Sequence, residues 1–385
     1  MAMAQKLKLI KVATVPTSLN IFCRGQLQML SQHFDVVAVA SPSPELEEIR
    51  RREGVRCVGL PMERHISLLK DLRSLVLMVR LLRRERPYIV HSMTPKAGLV
   101  SMVAAWMCRV PVRMHTYTGL LFPTARGPKK LILMLADKLL CHCATYINPE
   151  GFGVANDLAA ITRKPMHIIG HGNIRGIDFA YWQRTAAPPL PAAVGQRLEG
   201  RFVFLFVGRI VADKGINELI QAFTKLQSLV APRRKVALLL VGPAEPRLDP
   251  IGRRAAREIA HNPAIVSVGS VSDVRPYYAA AHAFVFPSHR EGFPNVVLEA
   301  GAMGLPQIVS DINGANEIIM HRINGLIIPP HHPDALLRAM RLLLDDSGLR
   351  ATLARNARKM VANRYEQRYL WGELLATYNQ LTHRP

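Results

Sequence analysis

Acidic residues are scarce in this chain. Its 385 residues hold 28 Asp and Glu against 50 Lys and Arg, a formal charge of +22 at pH 7. That imbalance implies an anionic partner: nucleic acid, a phosphorylated substrate or an acidic lipid surface. The surplus is uneven. Residues 1–190 hold 26 basic against 12 acidic side chains, and residues 191–385 hold 24 against 16. Aromatic residues are also few, at 6%, which leaves no stacking platform for single-stranded nucleic acid. There are five cysteines, Cys23, Cys57, Cys108, Cys141 and Cys143. Their odd count and spacing suit neither a disulfide framework nor a zinc site, and they read as reduced thiols of a cytosolic protein. The longest apolar run, residues 99–108, is far shorter than the ~20 residues that span a bilayer. No secretory signal opens the chain; a short basic patch leads into an apolar strand. The expectation is a protein that is soluble or lies on a membrane without crossing it. No D-x-D triplet occurs, so a carboxylate pair for a bridging cation is not apparent, and no metal is expected.

What is present is a globular composition, 49% hydrophobic and 20% charged, in a chain long enough for two domains. Strand-like runs at 7–15, 34–41, 88–93, 110–117, 144–149 and 166–172 alternate with helical patterns. After a break the rhythm restarts at 201–210, 235–243, 264–270, 283–288, 306–311 and 325–330, and from 333 onward the pattern is helical. Such alternation predicts parallel sheets covered on both faces. The Pro- and Ala-rich stretch 185–200 reads as a linker. The expected organisation is a domain over 1–184, the linker, a second domain over 201–365 and a terminal helix over 366–385.

The clearest amphipathic segment is 66–86. Leu68, Leu69, Leu72, Leu75, Val76, Val79 and Leu82 form one stripe, with Lys70, Arg73, Arg80, Arg83 and Arg84 mainly outside it. We expect the stripe to pack on the first sheet and keep membrane contact for the arginines.

The most informative stretch is 283–304. A buried strand ends near Ser288, the loop HREGF follows, and a helix is expected from Pro294, a residue favoured in a first turn. The amides of Asn295, Val296 and Val297 then form an anion site suited to a diphosphate. Glu291 lies before the helix and Glu299 inside it, and each carboxylate accepts hydrogen bonds from sugar hydroxyls. Glu299 by itself is a solvated helix glutamate as readily as a ligand. Arg209 and Lys214 by themselves are surface charges, and His115 by itself is an ordinary core or loop histidine. His167 and His171 sit in a strand and turn and are not taken as metal ligands; His331 and His332 read as loop decoration.

Several segments together resemble one family. EGFPNVVLEAGAMGLP (291–306) is similar to the double-glutamate motif of the retaining glycosyltransferases of family 4, which have the GT-B fold. FVGRIVADKGINELIQAF (206–223) resembles that family's Gly-Arg…Lys-Gly segment. HGNIRGIDFAYW (171–182) is similar to its lead-in to the interdomain linker. IVHSMTPKAGLV (89–100) and VPVRMHTYTGL (110–120) resemble its polysaccharide-assembly branch. The resemblance implies an α/β chain of two Rossmann-like lobes with parallel sheets facing a cleft, and a C-terminal helix that crosses back to the N-lobe. It implies that Glu291 contacts the transferred sugar and Glu299 the ribose. The backbone around Gly208, Gly292, Phe293, Asn295 and Val296 meets the donor, while Arg209 and Lys214 neutralise the diphosphate leaving group. His115 is implied near the donor sugar and the reaction centre. The glycine-rich loop of many relatives is replaced by VPTSLNIFCRGQ (15–26), where Arg24 is either an acceptor-phosphate contact or a surface arginine.

The reading is a metal-independent, retaining hexosyltransferase. It moves a hexose or N-acetylhexosamine from a nucleotide sugar, with UDP the expected nucleotide, to an undecaprenyl-diphosphate-linked glycan. The expected pathway is capsule, exopolysaccharide or O-antigen assembly. The expected place is the cytoplasm, against the anionic inner face of the plasma membrane, with no nucleic acid bound. Alternatives are a nucleotide-sugar epimerase or other GT-B chemistry, a catalytically silent partner of an assembly complex, and a basic nucleic-acid-binding protein.

Overall fold

The computed structural model describes residues 6–63, 67–247 and 249–382. The chain divides into two compact units. The first comprises residues 1–176 and 368–385, and the second residues 177–367.

The first unit contains β1 (Lys8–Val12), α1 (Pro16–Cys23), α2 (Gln26–Ser31), β2 (Asp35–Ala40), α3 (Pro44–Glu53), β3 (Arg56–Gly59), α4 (Leu68–Glu85), β4 (Ile89–Ser92), α5 (Pro95–Met107), β5 (Val112–Tyr117), α6 (Gly127–Cys143), β6 (Tyr146–Pro149) and α7 (Phe152–Ala159). The second contains α8 (Ala192–Leu198), β7 (Phe202–Val207), α9 (Ile216–Val230), β8 (Val236–Val241), α10 (Arg253–His261), β9 (Ile265–Ser267), α11 (Arg275–Ala280), β10 (Ala283–Phe286), α12 (Asn295–Ala302), β11 (Gln307–Ser310), α13 (Ala315–Ile318), β12 (Leu326–Ile328), α14 (Pro333–Asp345) and α15 (Ser347–Tyr365). The last helix, α16 (Gln367–Thr382), lies almost wholly in the first unit.

Each unit holds one six-stranded parallel sheet. The orders are β3-β2-β1-β4-β5-β6 and β12-β11-β10-β7-β8-β9, the same topology twice. The inner strands are buried along nearly their whole length; β4 and β8 are buried at every position. That is the pattern of sheets with helices on both faces. In each sheet the order reverses once, between β1 and β4 and between β7 and β10. Loops leaving the carboxyl ends of such a pair diverge and leave room for a ligand.

Four features differ from the sequence reading. The edge strand β3 went unforeseen, because four half-exposed residues carry no period. The run 166–172 is not a strand; Gly170 and Gly172 take positive φ and break the extension. Residues 185–200 belong to the second unit, where Arg184 donates to the carbonyls of Met303 and Ala281 and α8 forms.

The apolar stripe of α4 also packs differently. Residue 66 lies outside the described residues. Leu68, Leu69, Leu72 and Val76 are exposed, while Ser74, Met78, Val79, Leu81, Leu82 and Glu85 face inward. The inward polar groups have partners. Ser74 Oγ donates to the carbonyls of Pro61 and Lys70, and Glu85 is paired with Lys8, Arg56 and Arg84. The partners outside the helix, Lys8, Arg56 and Pro61, come from β1, β3 and the loop after it, and nothing in the helix itself announces them.

The tail helix completes one face of the first sheet. Leu374 and Tyr378 are fully buried among Leu9, Leu27, Phe34 and Met114. Tyr378 Oη meets His91 Nδ1, and the buried Lys11 Nζ lies 3.2 Å from His91 Nδ1 and 3.3 Å from Tyr378 Oη.

Candidate functional site

In the second unit the loops after β7 and β10 leave neighbouring strands. The β7 loop carries Gly208 and Arg209, then a 3-10 turn over Ala212–Lys214. Gly215 follows in the left-handed region with φ 69°; a Cβ there would stand 2.0 Å from Pro287 O, so only glycine permits this contact. The contact fixes the start of α9 against the β10 loop. His289 N donates to Asp213 O at 2.9 Å, and Arg290 pairs with Asp213 at 3.0 Å.

These contacts bring the two loops' functional side chains together. Lys214 Nζ binds Glu291 Oε1, and Ser288 Oγ donates to the same oxygen at 3.0 Å. Both charged side chains are about six-sevenths buried, at 14% and 16% exposure. Arg209 is more open and pairs with Glu245 at 2.8 Å. Past Glu291, the loop presses on a second required glycine. At Gly314, φ 74°, a Cβ would meet Gly292 O at 2.4 Å. Phe293 is buried against Tyr365, with ring centroids 5.6 Å apart, so a ligand there would meet its backbone.

The helix start differs in detail from expectation. Pro294 is the cap and α12 begins at Asn295. The Val297 amide already bonds Pro294 O at 3.1 Å. Asn295 and Val296 remain half-exposed at the helix start, where the dipole favours an anion. Glu299 is 6% exposed and accepts a hydrogen bond from Tyr278 Oη at 3.2 Å. Tyr278 went unnoticed in the sequence because it stands 21 residues away on α11.

His115 lies in the first unit, on β5. It is 1% exposed, accepts or donates a 2.7 Å hydrogen bond with Ser92 Oγ and packs edge-on to Tyr117 at 4.5 Å. Gly98 of α5 touches its ring. Burial holds its pKa down at about 3, so it stays neutral. Two residues, Thr116 and Tyr117, follow it in β5.

Other expected details also shift. His332 is not loop decoration: its Nδ1 caps α14 by accepting from Ala335 N at 3.1 Å. His331 stacks on His289 with ring centroids 3.7 Å apart. His167 stacks on Tyr146 at 4.8 Å. Arg24 is exposed. All five cysteines are free thiols. Among the described residues, no helix is long and apolar enough to cross a membrane.

Comparison with known proteins gives the same architecture a context. Residues 193–360 match the family model of group 1 glycosyl transferases, and residues 23–149 match a glycosyl transferase 4-like domain. The capsular polysaccharide biosynthesis glycosyltransferase CapM of Staphylococcus aureus is 34% identical over 376 residues, 97% of each chain. The UDP-Gal:alpha-D-GlcNAc-diphosphoundecaprenol alpha-1,3-galactosyltransferase of Escherichia coli is 27% identical over 86% of each chain. The crystal structure of HepE from Anabaena, in complex with UDP and glucose, superposes with a TM-score of 0.79 at 18% identity, covering 97% of this chain and 100% of that one. Twin parallel sheets of one topology, a double-glutamate loop at the second sheet's reversal point and near-complete alignment with CapM agree: the chain belongs to the GT4-type glycosyltransferases of GT-B fold.

Proposed function

We propose that this glycosyltransferase takes its sugar from a nucleotide donor, with UDP the nucleotide, held at the reversal point of the second sheet. The observation that carries this is the Lys214–Glu291 pair, on two loops of which one also carries Arg209 and the other leads into α12. A diphosphate placed there meets the helix dipole, the Lys214 ammonium and the Arg209 guanidinium. Glu291 receives hydroxyls of the transferred sugar, and Glu299, oriented by Tyr278, receives the ribose. Gly208, Gly292, Phe293, Asn295 and Val296 contribute backbone.

As the sugar leaves, charge grows on the diphosphate. Arg209 and Lys214 stabilise that charge, so the reaction needs no metal. No carboxylate on these loops is offered as a covalent nucleophile, and retention of configuration is proposed by front-face substitution. The acceptor is a lipid-diphosphate-linked glycan in surface-polysaccharide assembly. Support comes from the relatives, CapM in capsule synthesis and an enzyme acting on a diphosphoundecaprenol acceptor.

A membrane-facing side of the first unit fits a lipid-linked acceptor. Leu68, Leu69, Leu72 and Val76 of α4 are exposed, as are Leu131, Ile132, Leu135 and Leu139 of α6, at the same spacing. Both rows begin in the N-terminal halves of helices that flank α5, the second reaching Leu139 beyond the middle of α6. Each helix begins at the carboxyl end of the sheet, so both rows lie at one rim. Residues 68–143 hold 13 Lys and Arg against 3 Asp and Glu. Apolar rows among cations suit an anionic bilayer.

The test is a panel of nucleotide sugars read by thermal shift, then turnover with and without lipid-diphosphate acceptor, with and without chelator. Donor consumption that requires acceptor, is insensitive to chelator and yields a retained anomer supports the reading. Donor conversion to an epimer without acceptor sinks it.

A further inference from the structure

Three side chains on the second unit converge beside the donor loops. Glu218 comes from the first turn of α9, His289 from the loop after β10 and His331 from the loop after β12. One ligand atom from each lies within 4.8 Å of the others. His289 Nε2 is 3.3 Å and His331 Nδ1 3.7 Å from the same atom, Glu218 Oε1.

The cluster is not closed by its own hydrogen bonds. His289 Nε2 and Glu218 Oε2 are both buried without a well-aligned hydrogen bond, and His289 Nε2 meets Glu218 only through the 3.3 Å ion-pair contact with Oε1. Buried polar atoms in that state are costly unless something else satisfies them. The two imidazole rings are only 3.7 Å apart. The backbone also carries a local cost: His331 holds φ 57°, a left-handed conformation unusual for a residue other than glycine.

We propose that Glu218, His289 and His331 form a binding site for a divalent transition-metal ion of the zinc class, separate from the diphosphate. In a tetrahedral zinc site with bonds near 2.0–2.1 Å, neighbouring donors stand roughly 3.4 Å apart. Two imidazoles and one carboxylate select zinc and its neighbours over magnesium and calcium, which take oxygen ligands. The fourth position is open to solvent on the side of His331, whose side chain is 63% exposed, so an ion can enter there and keep a water.

The bound ion ties three loops at the carboxyl end of the sheet. Lys214 lies four residues before Glu218, and Glu291 lies two residues after His289. The ion therefore ties together the loops that carry Lys214 and Glu291, adds to the stability of the folded chain and takes no part in sugar transfer.

The experiment uses the full chain stripped by chelator, with no sugar nucleotide present. Zn²⁺ is titrated calorimetrically and Co²⁺ by visible absorption, in the wild type and in His289→Ala, His331→Ala and the control His261→Ala. The expected result is saturable 1:1 binding, a strong tetrahedral-type Co²⁺ band and a raised Tm with Zn²⁺. Both cluster variants should lose more than the roughly tenfold that outer-shell changes cause, and the control should bind like wild type. Because His331 is exposed, its variant should fold with an unchanged metal-free Tm. Absence of saturable Zn²⁺ binding, or equal binding by His331→Ala, overturns the proposal. Neither outcome depends on the donor reading, since no donor is present.

Discussion

The Lys214 ammonium rests on Oε1 of Glu291, across 77 residues of chain. The pair exists because β7 and β10 are neighbours in the sheet and Gly215 lets their following loops touch. Both side chains are mostly buried but not enclosed, so the pair is available to a ligand. Lys214→Ala and Glu291→Ala should each lower kcat/KM by about a hundredfold or more, a transition-state loss of roughly 2.7–4 kcal/mol. Tm should also fall, since each change leaves the partner's charge mostly buried and unpaired. Near-normal turnover in either variant would refute the donor site as drawn.

Tyr278 acts through Glu299. Its hydroxyl orients the carboxylate at 3.2 Å and lies 3.3 Å from Val296 O. Ribose binding is shared by ground state and transition state, so losing it affects KM more than kcat. Tyr278→Phe should raise KM for the donor several-fold, about 1 kcal/mol of binding, with kcat little changed. An equal fall in kcat would mean that Tyr278 shapes the reacting geometry instead.

The tail anchors the first unit through one phenol. Tyr378 is fully buried, and its hydroxyl is the partner of Lys11 and His91. Burial pushes the Lys11 pKa down, and burial followed by the nearby Lys11 holds His91 well below its ordinary value. Tyr378→Phe keeps the packing and strips the partner, so urea denaturation should show a loss of about 1–3 kcal/mol. Tyr378→Ala adds a cavity and should cost about 3–5 kcal/mol. Indifference of stability to both changes would contradict this bracing role.

Glu150 gives the first unit a pH signature. It is buried just past β6, and burial raises its pKa from 4.5 to about 8, against the opposing bond from Ile174 N. Between those values the folded chain keeps a proton that the unfolded chain releases. Stability is therefore full below pH 4.5 and falls as pH rises toward 8, by at most about 1.4 kcal/mol per pH unit. His115 works the other way: with a folded pKa of about 3 against 6.5, it removes stability as pH falls below 6.5. Glu150→Gln keeps an acceptor for Ile174 N and cannot ionise. It should be more stable than wild type at pH 8 and similar near pH 4. A parallel pair of stability–pH curves would rule Glu150 out as the cause.

The exposed rows of α4 and α6 predict lipid binding. In flotation with vesicles containing phosphatidylglycerol, the wild type should bind and Leu72→Ser/Leu135→Ser should bind several-fold less, from the loss of about 1–2 kcal/mol of apolar contact. Raised salt should weaken the wild type as screening lengths shorten. Turnover of a water-soluble acceptor should survive the substitutions. Unchanged flotation would remove the bilayer as occupant of this face.

Much of this protein was already written in local pattern. Alternating buried runs and helices fix two parallel α/β sheets, because a strand hidden on both faces must be apolar throughout. The loop from Glu291 to the start of α12 was legible for the same reason: a strand end, a proline and two glutamates lie within one short stretch. What the sequence did not hold was the pairing of distant segments. Whether α4 turns Leu72 or Ser74 inward depends on partners in β1 and β3, and the helix period is the same either way. His115 reads as well for a strand end as for a core, and its burial comes from the helices packed over β5. Glu218, His289 and His331 are unremarkable singly; the strand order that sets the β7, β10 and β12 loops at one end of the sheet makes them a cluster. Lys214 and Glu291 were each visible as residues, but their contact belongs to the sheet, since side-chain chemistry is local and the distances that make it useful are not.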